Sequence, residues 1–451
     1  MNRSTRREFL KLVGAGAAWM MLGGCAQPPA QVTPTPTTPP TTPKVTKELK
    51  LGYVAFRAGP AAAFGEPAHR AIDMMVERIN AAGGVAGAKI KVIHEEEGST
   101  SDTVEKFKKL CLEDKVDVIM GLNSTANSMA AAPVAEENST LFIACQARIP
   151  YVTWKDPEDP SKGVMDWVFK ANNSAVAHAV QAAWLLKEFA PDAKVVGQIH
   201  PDYAWGYDNY NYFSAAIKKL MPDVELLDPL YPKLFTPDYT PYITELVNSK
   251  PDYIFTSLWG SDTTRFIDQL IPYGLLKGTG GNTLLCAYWD FYVVTGREIP
   301  VFGHVQQSSQ KGIAYPVKPE DFDPDWEWLI KEFKSRFGQF PQSGAFDAGD
   351  ALNFWVAGIN KAYEEKGEFP TNDDIRDALE NLGSYKSFGE VGIVRKEDHR
   401  VLWGAAPGVV SKAPSDDPLQ RPYVHDPALL VTAEQTEPPA LTDPIEWINS
   451  W

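Results

Sequence analysis

Nothing in this sequence is long and apolar enough to cross a bilayer, which takes about 20 residues. The greasiest stretch, residues 12–22, is about half that length and is diluted by Gly and Ala. Catalytic and metal signatures are missing as well: no HExxH, no GxSxG and no Walker phosphate loop, and the 7 histidines are scattered without ligand spacing. These gaps remove the usual grounds for assigning an enzyme, a metal or a cofactor. Gly14-Ala15-Gly16 is a lone GxG with no strand before it and no long helix after it, which carries no nucleotide-binding argument. Basic residues are in deficit, with 43 Lys and Arg against 58 Asp and Glu and a net charge of −15. That balance argues against nucleic acid or an anionic membrane surface as the main partner. Cysteine is scarce, with 4 residues: Cys25, Cys111, Cys145 and Cys286.

What is present begins at the N-terminus. Arg3, Arg6, Arg7 and Lys11 precede the short apolar run, and small residues follow it, the layout of an export signal. "TRREFLK" resembles the twin-arginine signal, and "LGGC" ending at Cys25 resembles the lipobox of bacterial lipoproteins, whose cysteine is lipidated and becomes the new N-terminus. The expectation is a removed signal over 1–24 and a lipidated Cys25. Residues 25–48 are dominated by Pro and Thr, cannot bury a core and favour extended geometry, which suits a tether. With Cys25 so assigned, three cysteines remain, an odd number. Cys145 and Cys286 fall on strands of different halves, where a bond would lock them together, so all three are expected reduced and packed.

From Leu49 short apolar runs alternate with helical patterns. Strands are expected at 49–56, 89–96, 116–122, 140–145, 193–200, 252–258 and 283–289. Helices are expected over 68–80, 103–113, 174–189, 210–220, 239–249 and 263–273. Such alternation predicts an α/β chain with parallel sheets covered on both faces, as two Rossmann-like lobes. Amphipathic helices over 316–382 have no sheet of their own and must return to an earlier lobe. Several crossings between lobes make a hinge, with a ligand cleft at the strand C-termini. The boundaries read as 49–171 plus 304–382 for lobe 1, 172–303 plus 383–413 for lobe 2, and 414–451 as a C-terminal arm on the surface. The acid cluster Glu95–Glu97 at a strand end reads as solvated. Thirteen Trp and 17 Tyr are abundant; most fit core packing, and some suit a ligand-lined cleft.

Longer segments, "AGPAAAFGE", "INAAGGVAG", "GLNSTANS", "HPDYAWGYDNYNY" and "FDAGDALNFWVAGINKA", together resemble the periplasmic leucine/isoleucine/valine-binding proteins, the type I solute receptors of ATP-driven importers. The resemblance covers about residues 49–412. It implies two lobes joined by a three-stranded hinge and closing on a small molecule such as an amino acid, aromatic acid, amide or urea. It also implies an importer permease as partner, no cofactor, a monomer, and a location outside the cytoplasmic membrane; a sensor module for signalling is the alternative role. Ser124 and Thr125 match the position that holds the ligand carboxylate, and they open a helix, where an anion is favoured and where plain N-capping is the other explanation. Gln146, Ala147 and Arg148 match a second carboxylate loop. Arg148 stands where a Thr is usual, and either pairs with a ligand carboxylate or forms a salt bridge at the cleft mouth. Trp205, Trp259 and Phe64 match aromatic cleft positions, with core packing as the alternative. The acid that receives an ammonium group falls near Tyr288, leaving Asp290 or Asp262 as candidates, and Arg57 adds a second cation.

Overall fold

The computed structural model describes residues 47–276, 283–286, 290–291, 296–299, 305–306 and 312–451. The expected signal, Cys25 and Tyr288 lie outside these residues, as does most of the tether.

The first lobe opens with β1 (Glu48–Ala55), α1 (Ala62–Ala81), β2 (Lys89–Glu96), α2 (Thr100–Lys109), β3 (Val118–Gly121), α3 (Thr125–Glu137), β4 (Leu141–Ala144) and β5 (Val168–Lys170). The second follows with α4 (Ala175–Phe189), β6 (Val195–Ile199), α5 (Ala204–Leu220), β7 (Glu225–Leu226), α6 (Thr240–Ser249), β8 (Tyr253–Thr256), α7 (Ser261–Leu270), β9 (Thr283–Cys286) and β10 (Val305–Gln306). The chain then runs through α8 (Pro324–Phe337), α9 (Ser343–Lys366), α10 (Asn372–Glu380), β11 (Ser384–Ser387), β12 (Glu390–Arg395), β13 (Arg400–Leu402), β14 (Gly408–Ser411), β15 (Val424–Ala428), α11 (Ala433–Thr436) and α12 (Pro444–Asn449).

Two sheets result, ordered β11-β12-β13-β5-β4-β3-β1-β2 and β15-β14-β10-β9-β8-β6-β7. Their central pairs are parallel, with β1 joined to β3 and β2, and β8 joined to β6 and β9. Parallel pairing requires crossover helices, and those helices cover the faces. The buried strands accordingly read as continuous apolar runs, such as Val118–Gly121 and Leu141–Ala144. α1 begins at Ala62 rather than at Ala68, which places Phe64 in its first turn. α9 packs along α1 and buries Phe346, Leu352, Trp355 and Ile359 against the first sheet.

The third section departs from the expected boundaries. Strands β11–β13, placed by the sequence in lobe 2, extend the first sheet, with Arg400 paired to Lys170. β10, expected at the return to lobe 1, belongs to the second sheet. The C-terminal segment is more than a surface arm: β15 adds to the second sheet and Ile448 is fully buried. The reason is physical. The hairpin-linked strands β11–β13 need no crossover helix among themselves and β10 is only two residues long, so chain order does not say which open sheet edge they extend. The sheets are therefore connected by three passages, after β5, after β10 and after β13, as a three-stranded hinge requires.

Candidate functional site

A cavity with about 370 Å³ of empty space, its mouth included, lies between the lobes and is lined by Phe64, Asn123, Thr125, Gln146, Arg148, Tyr203, Trp205, Trp259 and Phe291. Apart from Phe64 on α1, each lining residue follows the C-terminal end of a parallel strand: β3, β4, β6, β8 or β9. Side chains of both lobes converge there because all strands of a parallel sheet end on one edge.

The first lobe supplies the polar part. Asn123 accepts the Phe56 N–H through Oδ1 at 3.2 Å, which leaves its Nδ2 buried without a partner. Gln146 is 2% exposed, and neither Nε2 nor Oε1 has a partner. Arg148 is also buried. Its Nη2 donates to Asp347 Oδ2 at 2.5 Å and its Nη1 to the Asn173 carbonyl at 3.3 Å, leaving Nε unpartnered. Burial pushes the Asp347 carboxyl up, and Arg148 opposes that shift. A side chain at Gly344 would lie 2.7 Å from the Phe64 carbonyl and 3.1 Å from Gln146 Nε2, so glycine here lets α9 close tightly on the pocket wall.

The second lobe supplies aromatic rings. The Trp205 indole N–H donates to the Ser257 carbonyl at 2.8 Å, and that of Trp259 to the Tyr203 hydroxyl at 2.9 Å. Both polar edges are thereby spent on protein, and ring carbon is left to face a ligand. Phe64 of the first lobe meets Phe291 of the second with centroids 5.7 Å apart. Asp290, beside it, accepts the Ser343 N–H at the start of α9 at 2.8 Å. The cleft is thus closed by an apolar contact and a polar one.

Six of the sequence candidates line the cavity: Phe64, Thr125, Gln146, Arg148, Trp205 and Trp259. Others have different work. Ser124 caps α3, its hydroxyl accepting the Asn127 N–H at 3.4 Å. At the helix start expected to hold a ligand anion, Glu97 accepts from the N–H groups of Asn123 and Ser124 at 2.7 and 2.9 Å and from Asn127 Nδ2 at 2.8 Å, while Thr125 beside them lines the cavity. The acid cluster is therefore not simply solvated: Glu97 is 1% exposed, and burial holds its carboxyl up at about 7. Ala147 is buried, its N–H donating to the Leu122 carbonyl at 2.8 Å. Arg57 is exposed and pairs with Glu66 at 3.1 Å. Asp262 accepts the Phe235 N–H at 2.8 Å and lies 3.8 Å from Arg265. Arg148 forms a salt bridge, as one alternative had it, but inside the first lobe rather than at the mouth. Cys111 and Cys145 are free and buried, while the side chain of Cys286 lies outside the described residues. Asn123, Tyr203 and Phe291 were missed; each stands one or two residues from a flagged position, on the same strand-end loop.

Two α/β lobes, a three-passage hinge and a pocket lined from both lobes are the architecture of a two-lobed solute receptor. The sequence profile of the periplasmic binding protein family matches residues 48–407, and the chain belongs to that family. Members are solute-binding proteins rather than enzymes and act outside the cytoplasm. Among curated relatives, Leu/Ile/Val-binding protein homolog 7 of Brucella suis biovar 1 is 23% identical over 308 residues, covering 66% of this chain and 73% of the relative. Among solved structures, a solute-binding protein of an ABC transporter from Rhodopseudomonas palustris BisB5, in complex with 3,4-dihydroxybenzoic acid, superposes with a TM-score of 0.69 at 19% identity, covering 86% of this chain and 98% of that one. The closed leucine-, isoleucine-, valine-, threonine- and alanine-binding protein of Brucella ovis gives the same TM-score and identity, with 88% and 98% covered. No helix among the described residues is long and apolar enough to cross a membrane.

Proposed function

We propose that this chain is the substrate-binding lipoprotein of an ABC-type importer, tethered through Cys25, and that it captures a small ring-bearing carboxylate in the interlobe cleft. The observation that carries the ligand class is the pocket lining. Asn123, Gln146 and Arg148, each with a buried donor that lacks a partner, line a cavity walled by aromatic rings. Donors without partners in a buried site favour a carboxylate, and leaving them unpaired costs about 1–3 kcal/mol each. Among the described lining residues none is acidic, and Asp290 and Asp262 are both engaged by protein N–H groups. An α-ammonium group thus has no free anionic partner among the described lining residues. The benzoate-type ligand of the Rhodopseudomonas receptor supports this choice over an aliphatic amino acid, and the amino-acid receptor of Brucella ovis supports the rival. The ligand touches both lobes only in the closed form, so binding shifts the population toward closure.

Calorimetry with 4-hydroxybenzoate, 3,4-dihydroxybenzoate, phenylalanine, leucine and isoleucine tests the reading. Heat of binding is expected for the benzoates. Binding of leucine or isoleucine with none for the benzoates would reverse the ligand class, and silence across the panel would remove it. Radiolabelled palmitate incorporated by the native chain and lost in Cys25→Ser tests the anchor.

A further inference from the structure

The C-terminal 44 residues lie beyond the span matched by the family profile, yet they touch all three passages of the hinge. At the first passage, Glu437 accepts the Ser174 N–H at 2.6 Å and its hydroxyl at 2.7 Å, just where α4 begins. The same carboxylate accepts Arg400 Nη2 of β13 at 2.5 Å, so one side chain joins the second lobe's first helix to the first lobe's sheet. Glu437 is 3% exposed and Arg400 is 2% exposed. At the second passage, Arg421 spends all five N–H groups: two on Asp417 and one each on the carbonyls of Ile313, Pro316 and Val317. His425 N–H adds a bond to the Ala314 carbonyl at 2.9 Å. At the third passage, Val431 and Ala405 exchange two backbone bonds of 2.9 and 3.0 Å, and Leu429 N–H donates to Pro407.

The segment is anchored in both lobes. On the first-lobe side, Arg421 lies over the rings of Phe322 and Trp326, and Arg395 donates to the Pro438 carbonyl at 2.7 Å. On the other side, β15 pairs with β14 and Lys219 donates to the Asn449 carbonyl at 2.8 Å. A hinge turns by changing backbone angles in its passages. Here the first two passages have backbone groups held by the buried side chains of Glu437 and Arg421, and the third is held by backbone bonds to the C-terminal segment. Turning them far strips partners from buried charges, which is strongly unfavourable.

We propose that residues 414–451 form a brace that fixes the angle between the lobes, with Glu437 and Arg421 as its positioning residues, so that the ligand-free receptor rests close to its closed geometry. Neither residue lines the pocket; both act on ligand binding through the hinge. The brace explains what a long extension does in a receptor whose family match ends before it.

Small-angle scattering of the purified, ligand-free protein tests this without knowledge of the ligand. The wild-type curve is expected to match the lobe arrangement in which Phe64 meets Phe291 and Asp290 meets Ser343. Glu437→Ala and Arg421→Ala are expected to enlarge the radius of gyration, and Glu437→Gln, which keeps the shape and loses the charge, to fall between. If the Ala variants fail to fold, Glu437→Gln and Arg421→Lys decide the matter. With 4-hydroxybenzoate as the probe, a variant whose closed form drops to a tenth of the population binds about tenfold more weakly. A wild-type protein that is open without ligand overturns the brace. So do variants that melt earlier while keeping the wild-type scattering curve. Failure of 4-hydroxybenzoate to bind any form would count against the ligand class alone, because the scattering comparison does not use it.

Discussion

The two walls of the cleft are built from different chemistry. The first lobe presents Asn123, Thr125, Gln146 and Arg148 with one ring, Phe64, while the second presents Tyr203, Trp205, Trp259 and Phe291. On the first wall the charges are neutralised within the lobe, Arg148 by Asp347, and the polar atoms left over are mostly donors. On the second wall the polar edges of the indoles are neutralised by protein and the rings are left over. The difference teaches a division of labour. A carboxylate can dock on the preorganised donors of the first lobe, and closure then brings rings onto its body. Preorganisation of this kind raises affinity because little must be ordered on binding.

The strongest way to break the first wall is to remove Asp347. Asp347→Ala leaves the Arg148 guanidinium buried with only the Asn173 carbonyl, and loss of a buried partner costs about 3–5 kcal/mol of stability. Urea unfolding measures it. The double variant Arg148→Met with Asp347→Leu removes both charges and is expected to recover most of the loss. A single variant within about 1 kcal/mol of the wild type would show that the pair does not hold the wall.

The first wall also has a pH signature, in the Glu97 carboxylate behind the start of α3. Burial raises Glu97 from 4.5 to about 7, against the pull of its three N–H donors. A raised carboxyl binds its proton more tightly in the folded state. Its contribution is full below the ordinary value and is lost as pH rises through about 7. The whole effect is on the order of 3 kcal/mol for one such group. Unfolding free energies of the wild type and Glu97→Gln, compared across that window, are expected to diverge as pH rises, with the wild type losing ground. Parallel curves would mean that Glu97 is not the group responsible.

How far the cleft could be read beforehand follows from the same division. The βαβ alternation placed the strand ends, and the resemblance to the leucine/isoleucine/valine-binding proteins then picked out Thr125, Gln146, Trp205 and Trp259 on the stretches that follow them. Partners distant in sequence were not readable. Asp347 is 199 residues from Arg148, and its sign in the sequence was a pair of acids, Asp347 and Asp350, inside a largely apolar helix, "SGAFDAGDALNF". Glu97 was hidden among three acids, two of which do reach exposed partners: Glu95 meets Lys109, and Glu96 meets the N–H groups of Arg57 and Ala58. The three residues of β5 were too short to show a period, and β11–β13 chose their sheet by an open edge that no pattern encodes.

Single substitutions on the two walls then separate their roles in binding. Gln146→Leu keeps the volume and removes the unpartnered amide, and should weaken benzoates by about 1–3 kcal/mol, or roughly five- to 160-fold, with little change in melting temperature. Trp259→Ala should weaken ring-bearing ligands by about 2 kcal/mol, as buried aromatic anchors do. Calorimetry on both decides. If Gln146→Leu binds benzoate as tightly as wild type, the donors of the first wall are not the carboxylate site.

The smallest effect probes where the walls meet. Asp290 reaches from the second lobe to the first turn of the 24-residue helix α9, where unpaired N–H groups and the helix dipole favour a carboxylate. Asp290→Asn keeps an oxygen acceptor for Ser343 and removes the charge, worth about 0.3–1 kcal/mol at a helix terminus and up to about 2 when buried. Affinity should therefore fall about two- to thirtyfold for a benzoate. An amino acid offers the sharper comparison. If Asp290 secures closure, phenylalanine stays a poor ligand in both proteins and the variant weakens every ligand alike. If Asp290 instead turns toward an ammonium group when one is present, the variant loses phenylalanine and spares benzoate, and the second wall would then carry a charge-recognition role as well as an aromatic one.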